Sequence, residues 1–307
     1  MTKLADEIAV FPRPEGVVRV TGPDRLSYLH VMLSQHLEVA EDGTAADFLF
    51  LDPKGNALAA GRAVVQADHV ILVTPVQLAA DLVTALEKFK FLMQVEAVDC
   101  TGELVVNSVR GPGHVDLAGA PAGSMRAAPL GQGLLARDRD GGVDVVGPPG
   151  WVSTQVAGLP KATPQEWEAY RISAGIPGWE TEIRPGRRAQ ELGLLPTHVH
   201  LRKGCYPGQE SIAKIYNLGR PRRALAVIEA SGPIAAGDPV QAGVGAKTGE
   251  ITSAAQIDRT AGPVWVALAL LPLDRDGEIL GGGDLDVAGT PARVRHRVAE
   301  GLPQPGA

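Results

Sequence analysis

Leucines recur at helical spacing after Gly22-Pro23, at Leu26, Leu29, Leu33 and Leu37, and predict an amphipathic helix. Short apolar runs around it read as strands at 19–21, 47–51, 63–66 and 70–73. The middle two are joined through Asp52-Pro53-Lys54-Gly55-Asn56, where proline fixes φ and the Gly-Asn pair tolerates positive φ. Thr74-Pro75-Val76-Gln77 has the form of a capping box and predicts a helix running to about Lys88. Strands at 95–98 and 104–109 follow. Residues 111–150, rich in Gly, Pro and Ala, are expected to hold loops with short strands.

A second capping box, Thr163-Pro164-Gln165-Glu166, opens a helix carrying Trp167, Tyr170 and Arg171 and stopped at Gly175. Another helix is expected from near Pro207 to about Tyr216. From Ala224 the texture changes to strands at 224–229, 239–242, 249–256, 264–271 and 292–297, separated by Gly, Pro and Asp. That pattern predicts a compact all-β barrel or sandwich, with the domain boundary near Arg220-Pro221. Helices and strands mixed first, then strands alone, give α+β followed by β.

At 307 residues and 45% hydrophobic composition the chain can bury two or three ordinary cores. No run approaches the roughly 20 apolar residues of a membrane span, so no membrane association is expected. The first residues lack the charged-then-apolar layout of an export signal. Two cysteines, Cys100 and Cys205, are too few for a disulfide framework or a thiolate zinc site, which fits a reducing cytoplasm. Neither a Gly-x-Gly-x-x-Gly turn nor a Walker-type loop is present, so nucleotide-dependent hydride transfer and NTP hydrolysis lack their markers. The net charge of −6 hides an asymmetry: residues 184–223 hold nine Lys/Arg against Glu191 and Glu210, a net +7. Such a band inside an acidic protein steers anionic ligands.

The densest chemistry lies in Lys203-Gly204-Cys205-Tyr206-Pro207-Gly208-Gln209-Glu210. Pro207 suits the first position of a helix. Cys205 then sits just outside the positive end of that helix, close to Lys203, and both influences favour a thiolate. The alternative is an inert buried cysteine in a glycine-bent turn. His198 and His200, two apart, would share a face if that segment were a strand and could join Cys205 as N/N/S donors. No fourth donor accompanies them, so no resident metal is expected. Cys100, beside Asp99 at a strand end, is expected to be structural.

Lys-Gly-Cys-Tyr-x-Gly-Gln-Glu resembles the signature of the YgfZ-like folate-binding proteins, relatives of the glycine-cleavage T-protein that support iron–sulfur cluster assembly or repair. Arg171-Ile172-Ser173-Ala174-Gly175-Ile176-Pro177, Asp52-Pro53-Lys54-Gly55 and Leu218-Gly219-Arg220-Pro221 resemble further elements of that family. The resemblance implies an α+β, T-protein-like ring of three lobes around a central folate cavity. Residues 1–220 would form two interleaved α+β folate-binding lobes and 221–300 a C-terminal antiparallel β-barrel.

It also implies tetrahydrofolate, or a polyglutamylated derivative, as the bound cofactor. Glu182 aligns with the pterin-binding acid, and basic side chains such as Lys203 and Arg223 would hold the anionic tail. Tyr206 would stack on the ligand or fill the core, and Gln209 and Glu210 would tie down the turn. In T-protein an aspartate pair stands at the reacting nitrogen; the corresponding positions here are Ala59 and Ala60, which cannot move a proton. The stretch 184–188 also departs from T-protein in being basic and glycine-bent.

The implied function is therefore a cytoplasmic folate-binding accessory to iron–sulfur protein maturation, with tRNA-modifying enzymes among its clients and Cys205 and Lys203 as its chemistry. Iron–sulfur client or assembly proteins are the expected partners. A folate-dependent aminomethyl transferase and an RNA-associated factor are the alternatives. The arginines lack the interleaved aromatics of a single-strand binder.

Overall fold

A computed structural model describes residues 7–218, 221–242, 248–259, 262–280 and 282–302. Near the N-terminus come β1 (Ala9–Arg13), β2 (Glu15–Thr21), α1 (Arg25–Met32), β3 (Ala45–Leu51), β4 (Ala57–Val65), β5 (His69–Pro75), α2 (Ala79–Phe89) and β6 (Glu96–Asp99). Strands β2–β6 form one antiparallel sheet in the order β3-β4-β5-β2-β6. Leu29 of α1 and Leu82 and Leu86 of α2 pack on its Val18, Val20 and Leu72.

β1, which the patterning above does not predict, leaves this sheet for a second one. There it pairs with β7 (Val105–Arg110), followed by β8 (Arg126–Leu130), β9 (Gly133–Arg137) and β10 (Val143–Gly147), in the order β1-β7-β10-β9-β8. The two lobes are thus interleaved in sequence. Their sheets meet face to face, with Val17, Val64 and Ile71 against Val106, Leu134 and Val146. α3 (Pro149–Gln155) covers the second sheet, and α4 (Pro164–Ser173) lies between β1 and the C-terminal lobe, its Trp167 and Tyr170 on Phe11.

After α5 (Leu195–His198) and α6 (Gln209–Leu218), six strands close an antiparallel barrel: β11 (Arg223–Ala230), β12 (Pro239–Ala242), β13 (Thr248–Arg259), β14 (Gly262–Pro272), β15 (Asp284–Val287) and β16 (Thr290–Arg297). Strand alternation gives β11 two apolar faces. Ala226 and Ile228 point into the barrel, while Leu225 and Val227 join a hub cluster with Leu49 and Leu51 of β3. Gly219 and Arg220, at the expected boundary, lie outside the described residues.

Two local expectations need correction. α1 stops at Met32, so Leu33 and Leu37 lie beyond it, although both are fully buried. Thr74 caps nothing: it sits in β5 and donates to the Ala60 carbonyl at 2.9 Å, and α2 is entered through a 3-10 turn at Val76–Leu78. The stretch 111–150 holds short paired strands joined by loops, as expected, and ends in the start of a helix. Thr163, unlike Thr74, forms the full capping box with Glu166.

Candidate functional site

Residues 176–208 run between α4 and α6 and touch all three lobes. Their anchor is Glu182, which is completely buried. Oε2 accepts from the Gly178 amide (2.7 Å), Thr181 (2.8 Å) and Arg171 (3.2 Å), and Oε1 accepts from Ser253 of β13 (2.6 Å). Arg171 donates to the same Ser253 hydroxyl at 2.9 Å. Gly178 permits this convergence, since a Cβ there would lie 2.6 Å from the Thr181 hydroxyl and 3.1 Å from the Arg171 guanidinium carbon. Burial pushes the Glu182 pKa up, but hydrogen bonds from Ser253, Thr252 and Gly178 and the Arg171 charge outweigh it and hold the group ionised below its ordinary range. The acid expected to receive a pterin therefore already holds protein donors on both oxygens.

The octapeptide docks on the 52–56 turn. Gly208, at φ 79°, approaches so closely that a Cβ would meet the Asp52 carbonyl at 2.6 Å and Gly55 Cα at 3.1 Å. Gly55, also at φ 79°, faces Ser211 in the same way, at 2.7 Å. Both glycines are needed for positive φ and for close backbone approach. Because Gly208 turns here, α6 begins at Gln209, and Pro207 does not occupy the first helical position. Cys205 accordingly lies outside the helix by a full turn of chain, and it is exposed.

Lys203 points away from solvent. Its ammonium donates to the backbone carbonyls of His30 and Leu33 at the end of α1, and lies 4.7 Å from the Tyr206 ring centroid. Burial lowers its pKa to about 7, with the neighbouring Cys205 acting in the opposite direction. Tyr206 fills the hub core, and its amide donates to the Gln209 side chain at 3.3 Å, so Gln209 does tie down the turn. Glu210 is exposed on the first turn of α6. Arg223, at the start of β11, makes a two-pronged ion pair with Glu191 at 3.1 and 3.2 Å.

The basic band is partly spent on such internal contacts. Arg187 and, at 3.9 Å, Arg184 face Glu250, while Arg188 donates to the Lys54 carbonyl at 3.1 Å. Arg184 and Arg187 also edge a narrow cleft of about 250 Å³, counted out to its open mouth, whose base is formed by Leu49, Leu51, Ile183 and Leu194. The enclosed base has room for about one water. Ala59 and Ala60 are buried in β4: Ala59 faces the core under α1 and α2, and Ala60 the hub beside Leu49 and Leu51.

His198 and His200 do not share a strand face, because the segment is a short helix followed by a turn. His198 ends α5 and contacts Thr197 at 2.7 Å. His200 instead packs on His36, with ring centroids 4.9 Å apart, and His36 packs on His30 at the same distance. His30, His36 and Glu38 bring ligating atoms within 4.8 Å of one another, and the Gly204 backbone abuts His30. Sequence reasoning missed this cluster, since His30 and His36 show no ligand spacing and only the fold brings His200 to them.

The full-length architecture is that of the aminomethyltransferase T proteins. The Bartonella henselae glycine cleavage enzyme superposes with a TM-score of 0.76, covering 97% of this chain and 87% of that one at 17% identity. No protein-family profile matches the sequence. Among curated proteins, the chain is 26% identical over 258 residues to the chloroplastic protein At1g60990 of Arabidopsis thaliana, covering 78% of this chain and 59% of that one. It is 26% identical over 244 residues to the mitochondrial iron–sulfur cluster assembly factor IBA57 homolog of Cryptococcus neoformans, covering 69% and 63%. It is 35% identical over 115 residues to the tRNA-modifying protein YgfZ of Sodalis glossinidius, 34% of each chain. The chain thus spans about three fifths of the length of the first two relatives. The interleaved lobes and the closed barrel are those of the T-protein fold, and within that fold the chain is similar in sequence to YgfZ and IBA57-type proteins.

Proposed function

We propose that the chain is a tetrahydrofolate-binding accessory protein for iron–sulfur cluster assembly or repair, acting in a reducing cytoplasm, with tRNA-modifying enzymes among its clients. The observation that carries this is a contrast within one fold. The fold is that of an aminomethyltransferase, yet Ala59 and Ala60 are buried methyl groups in β4. Neither methyl group can move a proton, which argues against the T-protein route and supports a reading of binding and thiol chemistry.

The donor set of the cleft fits a folate in character. Leu49, Leu51 and Ile183 offer an apolar lining, and Arg184 and Arg187, which line the same cleft, would be the cations for an anionic tail. Entry of a ring requires the base to widen. In this reading Glu182 and Arg223 hold the arginine-bearing loop in place, and Lys203, Tyr206 and Gln209 hold the exposed Cys205 beside it. When bound, folate supplies a carrier for one-carbon units.

Two measurements test the reading. Saturating mono- and polyglutamylated tetrahydrofolate should raise the melting temperature, since a ligand selective for the native state stabilises it; no shift with either removes folate from the account. Cys205→Ala should fold normally yet fail to restore iron–sulfur enzyme activities in cells lacking the protein. Full restoration would reduce the cysteine to scaffolding.

A further inference from the structure

The histidine cluster lies at the end of α1, against the octapeptide, and the proposed function makes no use of it. His30 is the buried member, on α1 itself; His36 and Glu38 come from the loop that follows. His30 Nε2 and Glu38 Oε2 stand 4.0 Å apart. His200 stacks against His36, and its Nδ1 is buried with no hydrogen-bond partner. An orphaned buried nitrogen on a ring stacked against His36 is costly unless something uses it.

We propose that His30, His36 and Glu38 form a site for a divalent first-row transition ion, with the His200 ring packed on His36 and helping to orient it. Two imidazoles and one carboxylate with open positions suit Fe(II) best. The ligating atoms must draw together by about 1 Å to reach bonds near 2.1 Å, and Glu38, being exposed, is free to swing inward. Ligation through His30 Nε2 shifts the ring proton to Nδ1. That gives up only a long 3.4 Å contact from the Glu38 amide. Because Glu38 faces solvent, the ion enters without opening the fold. The site stands whether or not folate binds in the cleft.

The test is an anaerobic titration of the full chain, stripped of metal, with Co(II), read by its visible absorption and by metal analysis. One equivalent should bind and raise the melting temperature. His36→Ala and Glu38→Gln, both at accessible positions, should each weaken binding about 10-fold or more while leaving the metal-free melting temperature unchanged. His69→Ala and Cys205→Ser should bind as the wild type does. Binding well below one equivalent, equal affinity in His36→Ala and Glu38→Gln, or loss of the site in Cys205→Ser would overturn the assignment.

Discussion

Glu182 and Ser253, 71 positions apart, share a 2.6 Å hydrogen bond that fastens the loop after α4 to strand β13 of the barrel. With Arg171 bound to both, the three form a closed buried set. Removing the carboxylate leaves Arg171 only the half-exposed Glu168, at 2.6 Å, as counter-charge, so Glu182→Ala should cost about 2–4 kcal/mol in urea denaturation. Ser253→Ala should cost only about 1–2 kcal/mol. The folded pKa of Glu182 lies below its ordinary value of 4.5, so its contribution is full above that value and is lost as the pH falls through the folded pKa. Glu182→Gln should flatten that acid limb. A loss under about 1 kcal/mol for Glu182→Ala would show that the bolt is not needed.

Lys203 predicts a pH dependence of the same sign in the alkaline range. Its folded pKa of about 7 lies below the ordinary 10.5, so between these values the unfolded chain binds more protons than the folded one. Stability should therefore rise from pH 7 toward pH 10. Lys203→Met, which keeps the length and drops the titration, should lose that rise. If wild type and variant run parallel over the range, the ammonium is not buried in solution.

The two cysteines should differ in reactivity. Cys205 is exposed, whereas Cys100 is 2% exposed and burial raises its pKa. A disulfide reagent should modify one thiol in the native protein and the second only on unfolding. Cys205→Ala should abolish the native reaction and change stability by less than about 0.5 kcal/mol. Two fast thiols, or none, would contradict this arrangement.

Much of this site was legible in the chain because its signals are local. The 52–56 glycine turn, the Thr163 cap and the strand-rich tail each depend on a few adjacent residues, and each formed as their chemistry predicts. Thr74 shows where such reasoning fails. It carries the same local pattern as Thr163, but pairing of β5 in the sheet claims its residue and its hydroxyl. His198 and His200 failed for a related reason, since their spacing has meaning only on a strand, and Leu195-Pro196 starts a short helix instead. The charge count of the basic band was correct. Its partners were invisible, because Glu250 meets Arg184 and Arg187 only once the barrel has closed.

The interleaved lobes are tied by a second buried charge network, and it yields the last prediction. Arg62 of β4 bonds Asp47 of β3 at 2.9 Å and reaches across to Asp144 of β10 at 3.0 Å. Asp144 also accepts from Arg110 at 2.7 Å and Ser108 at 2.6 Å. Burial opposes its charge, but Arg110 and Arg62 prevail and hold the carboxyl well below the usual carboxylate range. Asp144→Asn removes the carboxylate that Arg62 and Arg110 share, leaving Arg62 with Asp47 and Arg110 with Asp138 at 2.8 Å, and should destabilise by about 2–3 kcal/mol. Because Asp144 bridges the sheets, the variant should also lose the coincidence of unfolding transitions followed from probes on each lobe. The wild-type contribution should persist at any pH above the ordinary aspartate value of 3.8 and fade only as acid protonates the folded carboxyl. A loss below about 1 kcal/mol, with both lobes still unfolding together, would mean that apolar contact between the sheets suffices.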